Sequence, residues 1–438
     1  MSATTQHEPH LPSLNDEPEQ LDFTVTESRD ARRARLSSGV LILVVGVLLA
    51  VLFFTTTGIS RFALSDAFAE VQLPTIELPG RLTVALCAVL CLLAGAGFLS
   101  GRLRGRAPMI AGLVAGLAVT LGFLAWAAAG KDLPFPVANQ LAGTVFTATP
   151  LILGALCGVV GERAGVVNVA IEGQFLTAAF AAALTGSITK SIWAALFAAV
   201  LAGVLMAAVL ALFAIKYLVD QVVLGVVINL LASGLTGFLF DQLVQPNSRA
   251  LNSGPVMQAI PIPLLADIPL LGPVLFQQTI LVYLAIASIV VVWWLLYRTR
   301  WGLRLRAVGE HPKAADTVGI SVKAVRWQAV LVGGIFSGLG GAFFTVGSIG
   351  SFSKDLTVGN GFIALAAVIM GRWHPVLAAT MALFFGFVVQ MASQLQTLNT
   401  PVPSQFLLML PYIATIIAVA GLIGRTRGPA ADGVPYTK

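Results

Sequence analysis

Twelve stretches of this chain are apolar over lengths at or near the roughly 20 residues that a helix needs to cross a bilayer. They fall near 39–56, 82–99, 109–129, 141–160, 169–187, 192–214, 221–241, 278–297, 328–349, 359–371, 375–392 and 405–424. At that depth no water satisfies the backbone, so only helices or closed barrels can span. The runs are continuous rather than alternating, which excludes a barrel. The chain is 57% apolar and 11% charged, where a soluble domain carries about 25% charge. The sequence therefore predicts an all-α fold: a polytopic transmembrane helical bundle of about 10–12 spans.

The net charge of +6 does not indicate a nucleic-acid partner. Lysines and arginines cluster in short loops at span ends, the pattern that orients membrane proteins. Residues 1–36 are expected to form a disordered acidic cytoplasmic tail. Arg29, Arg32, Arg33 and Arg35 precede the first span and hold the N-terminus inside. Counting from there puts Arg102, Arg104 and Arg106 inside, together with the loop 298–326, Arg425 and Arg427. The loops at 57–81, 242–277 and 393–404 fall outside. The stretch 359–371 is short for a crossing and reads as a possible half-helix meeting its neighbour near Arg372, Trp373 and Pro375. Without it the parity fails. The chain is thus read as multi-pass, with both termini cytoplasmic. Three cysteines, Cys87, Cys91 and Cys157, lie in apolar runs and read as small core residues. Close helix packing is signalled by Gly112 and Gly116, Gly154 and Gly158, and Gly334 and Gly338.

Three polar stretches stand out against this background. The first, 298–326, holds a short capped helix: Pro312 suits a first helical position, and Gly319 suits the residue past the end, where positive φ is wanted. Ala314, Ala315 and Val318 fall on one face at helical spacing. A small apolar-faced helix on a basic loop reads as a docking element for a soluble partner. Arg304, Arg306, Glu310 and Asp316 flank it as further coupling residues. The second stretch, GERAGVVNVAIEGQ at 161–174, brings two acids, an Arg and an Asn between apolar runs. Ionisable groups at membrane depth are costly and mark a pathway or a partner. Glycines let a helix break around a cavity. Glu162 and Arg163 read as a water-facing turn, whereas Asn168 and Glu172 are candidates for the solute pathway. The third stretch, VGNGFIALAAVIMGRWHP at 358–375, adds Asn360 and Phe362 as pathway candidates at the start of the short run. Asn229, alone within an apolar span, is either an interhelical hydrogen bond or a pathway contact. His374 reads as interfacial.

No G-x-x-x-x-G-K-[ST], G-x-S-x-G or H-E-x-x-H occurs. The chain is not expected to be an enzyme, nor to bind a metal or cofactor.

Together the runs ATPLILGALCGVVGERAGVVNVAIEGQ (148–174), GLRLRAVGEHPKAADTVGISV (302–322) and GNGFIALAAVIMGRWHP (359–375) resemble permease subunits of ABC importers for nucleosides. Ribose and branched-chain amino acid permeases are more distant relatives. The resemblance covers roughly 138–425. It departs from the common form at Ala164 and Ala170, where Ser and Gly are frequent. It implies a permease core at 131–427, extra transmembrane segments at 37–130 and a cytoplasmic tail at 428–438. It also implies three partners: a cytoplasmic ABC ATPase docked near Glu310–Gly319, a second similar permease subunit, and an extracytoplasmic substrate-binding lipoprotein delivering a small molecule. A sugar permease and an ion-coupled secondary transporter are the competing readings. The latter would need embedded acids, of which Glu172 is the candidate.

Overall fold

A computed structural model describes residues 29–65, 72–398 and 427–438, with six further positions between 405 and 416. The acidic segment 1–28 and most of the last expected span lie outside the described residues. The chain is helical nearly throughout. Eight described helices are long and apolar enough to cross a membrane, which makes this a multi-pass membrane protein.

Three helices come first: α1 (Arg29–Thr55), α2 (Gly80–Ser100) and α3 (Ala107–Ala128). They pack on one another through small residues such as Cys87, Ala88, Cys91 and Ala118. The Arg35 guanidinium donates to the Phe98 and Leu99 carbonyls at 2.6 and 3.1 Å, tying the start of α1 to the end of α2. That end is termed the basic face below. On the opposite face β1 (Ile59–Ala63) pairs antiparallel with β2 (Ile76–Pro79) and parallel with β3 (Phe135–Pro136).

The core is built around α4 (Val137–Arg163), most of whose residues are buried. Next come α5 (Ile171–Thr189), α6 (Ile192–Ala211) and α7 (Gln221–Leu239), with α6 and α7 packed on α5. Asp220 caps α7 by accepting from the Val222 and Val223 amides, satisfying donors that a helix start leaves open. Single π-helical turns extend α6 and α7 to Lys216 and Val244. A loop on the opposite face carries the single-turn α8 (Ser248–Leu251) and the pair β4 (Ile260–Pro261) and β5 (Gln277–Gln278). Then follow α9 (Ile280–Arg298), α10 (Arg300–Glu310), α11 (Pro312–Thr317), α12 (Val322–Phe343), α13 (Asn360–Met370) and α14 (Pro375–Thr397).

Two of the three glycine pairs do close packing. Cβ atoms at Gly334 and Gly338 would strike α6 at Val204 and Val200, and at Gly154 and Gly158 would strike Ala364 and Val368 of α13. Gly112 and Gly116 face open space instead, so that expectation fails for α3. Both α5 and α12 have spanning length but polar starts, with Glu172 and Gln174 on one and Lys323, Arg326 and Gln328 on the other. The expected 328–349 span begins earlier and ends at Phe343, and α14 runs through residues expected to be loop.

The short α13 covers only part of a crossing. Its 11 residues cover about 16 Å, half of a ~30 Å apolar core. The rest of the crossing is irregular chain. The Gly254 amide donates to the Gly350 carbonyl, and Gly254 packs near Ser187 at the far end of α5. Gly359 instead bonds Glu172 at the near end. Those levels on α5 differ by about 22 Å at 1.5 Å per residue, so residues 350–359 descend from the opposite face to mid-depth.

Candidate solute path and coupling surface

The segment 164–170 breaks the chain between α4 and α5, and its polar residues satisfy the break. The Asn168 amide nitrogen donates to Cys157 Sγ and to Gln174 Oε1, while its oxygen accepts from the Ala170 amide. Asn229 of α7 works from the other side. Its oxygen accepts from the Gly173 amide at 2.8 Å and its nitrogen donates to the Val169 carbonyl at 3.0 Å. Asn229 lies eight residues into α7, about 12 Å from the basic end, so the start of α5 is embedded.

A second helix start meets the first there. Glu172 Oε1 accepts from Thr357 Oγ1 and from the Gly359 amide, and Oε2 accepts from the Gly361 amide at 2.6 Å. One carboxylate thus caps α13, where the helix dipole favours negative charge. A side chain at position 361 could not be accommodated, because a Cβ would fall 2.4 Å from the Glu172 nitrogen. The Asn360 amide nitrogen turns back to the Thr357 carbonyl. Phe362 points away from the packed core and is 48% exposed. Of the five pathway candidates, then, Glu172 joins the two helix starts, Asn168 and Asn229 brace the break before α5, Asn360 bonds within its own segment, and Phe362 presents a free surface. Val358, at φ 45, takes a left-handed conformation costly for a β-branched residue and is exposed beside the junction. Its carbonyl accepts from the Tyr412 hydroxyl at 3.2 Å.

Beneath the junction, on the basic face, lies a buried polar cluster that sequence reasoning missed. Glu162 does not face water: it is 2% exposed and accepts from the Trp373 indole at 2.5 Å. Arg163 donates to the Trp373 carbonyl. Arg326, also buried, donates to the carbonyls of Ala164, Val434 and Ala431. The C-terminal residues therefore form a strap across this face. The Ala431 amide reaches the Gly309 carbonyl, the Ala430 amide reaches Glu310, and Lys438 pairs with Asp316 at 3.5 Å. Burial pushes the Asp432 carboxyl up to about 7, against the lowering influence of the Gly433 amide and Arg326.

The strap touches α10 and α11, the expected docking element. Pro312 opens α11 and Gly319 follows it at φ 84. The three small residues do not share one exposed face, however. Ala315 is 3% exposed and belongs to the core around α4, whereas Ala314 and Val318 point outward. Six residues are too few to expose every i, i+3 and i+4 neighbour of a helix packed on one side. Arg306 lies over the Tyr297 ring at 4.9 Å, while Glu310 and Asp316 face the strap. The open surface is instead a groove of about 430 Å³ lined by Arg300, Leu303, Arg304, Ala307, Val318 and Ile320. Leu303 is 62% and Val318 74% exposed. Leu303 was legible only through the period of α10, which buries Leu305 and Val308 and turns Leu303 and Arg304 outward.

Comparison with known proteins fits this architecture. Residues 140–423 match the family described as branched-chain amino acid transport system / permease component. The guanosine ABC transporter permease protein NupQ of Bacillus subtilis is 41% identical over 304 residues, 67% of this chain and 95% of that protein. The nucleoside ABC transporter permease protein NupC of Lactococcus lactis is 39% identical over 312 residues, 69% of this chain and 96% of that protein. No solved structure matches the chain. The chain belongs to the branched-chain amino acid transport system / permease component family and is a multi-pass ABC transporter permease, a transport subunit rather than an enzyme.

Proposed function

We propose that the chain is one half of the membrane pathway of an ATP-driven nucleoside importer in a bacterial cell membrane. The basic face is cytoplasmic in this reading, in keeping with arginine placement. The substrate class is supported by the two relatives named for guanosine and nucleosides. The observation that carries the coupling is the groove between α10 and α11. Leu303 and Val318 there form an apolar patch rimmed by Arg300 and Arg304, on a face otherwise fit for water. A cytoplasmic ATPase inserting an apolar knob with acidic neighbours suits it. A second permease subunit completes the path, and an extracytoplasmic substrate-binding lipoprotein delivers the solute.

Glu172, the acid on which an ion-coupled mechanism was expected to rest, accepts three hydrogen bonds and caps a helix. Its cap role favours the ATP-driven reading. The test is uptake of labelled purine and pyrimidine nucleosides in a strain lacking this chain, with and without its restoration. Uptake is expected to return with the chain, to vanish when the partner ATPase is inactivated, and to survive dissipation of the proton gradient while ATP is held constant. Uptake that persists without the ATPase overturns the proposal.

A further inference from the structure

On a half-buried flank of α7, beside its exposed apolar face, Ser233 and Asp241 meet charged side chains of the segment 350–359. Ser233 Oγ donates to Asp355 Oδ1 at 2.7 Å, and Asp355 is exposed. Eight residues further along, Asp241 pairs with Lys354 at 2.6 Å, both about half exposed. The span that includes the π turn runs from Gln221 to Val244, 24 residues, and Ser233 is its thirteenth. The Asp355 carboxylate is therefore at the midpoint of a membrane-crossing helix, in the open. A charge at the centre of a bilayer is among the costliest placements available, and such groups line a pathway or an interface.

Three further observations point to a pathway. Asp355 belongs to the irregular segment 350–359, and non-helical backbone at membrane depth is tolerated where it is buried in protein or lines a water-filled cavity. Its φ of 52 is left-handed, as is that of Val358 three residues on, and such conformations cluster at functional positions. Ser233 stands one turn beyond Asn229, so the carboxylate is about 6 Å from the level where α5 and α13 meet. The exposed ring of Phe362 begins just past that level.

We infer that Asp355, held by Ser233, is a solute-recognition group of the path, taking the hydroxyls of a sugar while Phe362 offers a face to the attached ring. Asp355 Oδ1 is occupied by Ser233 and, among the described residues, Oδ2 accepts no hydrogen bond. An acceptor-only carboxylate selects hydroxyl donors, and it is the group that other folds use for a ribose diol. The ring surface is sequence-tolerant toward planar bases. The inference rests on the nucleoside reading above and deepens it.

The experiment uses the assembled transporter in cells. Initial uptake rates are measured for a ribonucleoside and for its 2′,3′-dideoxy analogue, with wild type, Asp355→Asn and Ser233→Ala. Loss of a hydrogen bond to a charged acceptor corresponds to roughly a ten- to hundred-fold effect. The Asp355→Asn variant should lose that factor on the ribonucleoside, mainly through KM, and little on the analogue. Ser233→Ala should show the same bias more weakly. Equal loss on both solutes, or no loss on either, overturns the inference. A second measurement covers the case in which wild type does not carry the analogue. Asp355→Cys is treated with a membrane-impermeant thiol reagent, the three native cysteines being buried. Labelling that saturating ribonucleoside blocks supports the inference. An unreactive Cys, or labelling that solute leaves unchanged, overturns it. Absence of nucleoside uptake by wild type itself would instead sink the underlying functional reading.

Discussion

The Glu172 carboxylate and the Gly361 amide meet at 2.6 Å. Through this contact the start of one embedded helix caps the start of another, 189 residues later in the chain. The α5 and α13 segments are thereby joined, and the approach depends on the absence of a side chain at Gly361.

Replacing Gly361 by Ala should destabilise the protein, because the new Cβ would fall 2.4 Å from the Glu172 nitrogen. Overpacking of that kind costs about 1–3 kcal/mol or more. Glu172→Ala should cost a similar amount by stranding its donors, with Glu172→Gln in between. Thermal unfolding of the purified protein in detergent measures all three. An unchanged transition for Gly361→Ala would show that the two helix starts are not in contact.

The coupling surface makes a contrast between neighbours. Val318→Glu and Leu303→Asp should abolish co-purification of the ATPase and ATP-dependent uptake while leaving thermal stability nearly unchanged, since both side chains are exposed. Ala315→Trp should lower stability by about 1–3 kcal/mol or more, since the site is buried in the core cluster around α4 and has no room for a ring. If Val318→Glu still assembles and transports normally, the groove is not the docking surface.

Arg326 should be intolerant of change. It reaches three carbonyls, in the α4–α5 break and in the C-terminal strap, and the compact ammonium of Lys cannot reproduce that fork. Arg326→Lys and Arg326→Ala should both loosen the strap, read as increased proteolysis after Arg427. Normal strap protection in Arg326→Ala would refute the role.

The strap should respond to pH. The Asp432 carboxyl, faced by Glu162 of α4 and Arg326 of α12, is raised from an ordinary 3.8 to about 7 when docked. A docked group with a raised value binds a proton that the undocked group releases. Docking is therefore strongest at low pH, weakens as pH rises from about 4 to about 7, and is flat above. A fluorophore at the exposed Thr437 would report the profile, and Asp432→Asn should flatten it. A profile that strengthens with rising pH would contradict the assignment.

Much of the fold could be read directly from residue order. The approximate positions of the eight spanning helices followed from apolar runs, because bilayer thickness sets a minimum length for each. The Pro312 start and the Gly319 turn were legible because each residue has a conformational preference of its own. Other features were not. Glu162 and Ala315 were expected to be exposed, and both are buried, since a loop sequence does not reveal the C-terminal strap or the body of α4 against it. Asp355 and Ser233 were overlooked because one stood in a loop and the other in an apolar span, 122 positions apart.

The sequence by itself determined that this chain spans a membrane many times, that most of its arginines gather at span ends of one face, and which family it belongs to. Those properties are sums over local composition or runs of consecutive residues. Only the tertiary structure decided what the polar residues do. It turned Glu172 into a helix cap, made Asn168 and Asn229 braces around a break, and left Asp355 open at mid-depth. Each role depends on which distant backbone group lies within about 3 Å, and that is a property of packing rather than of order along the chain.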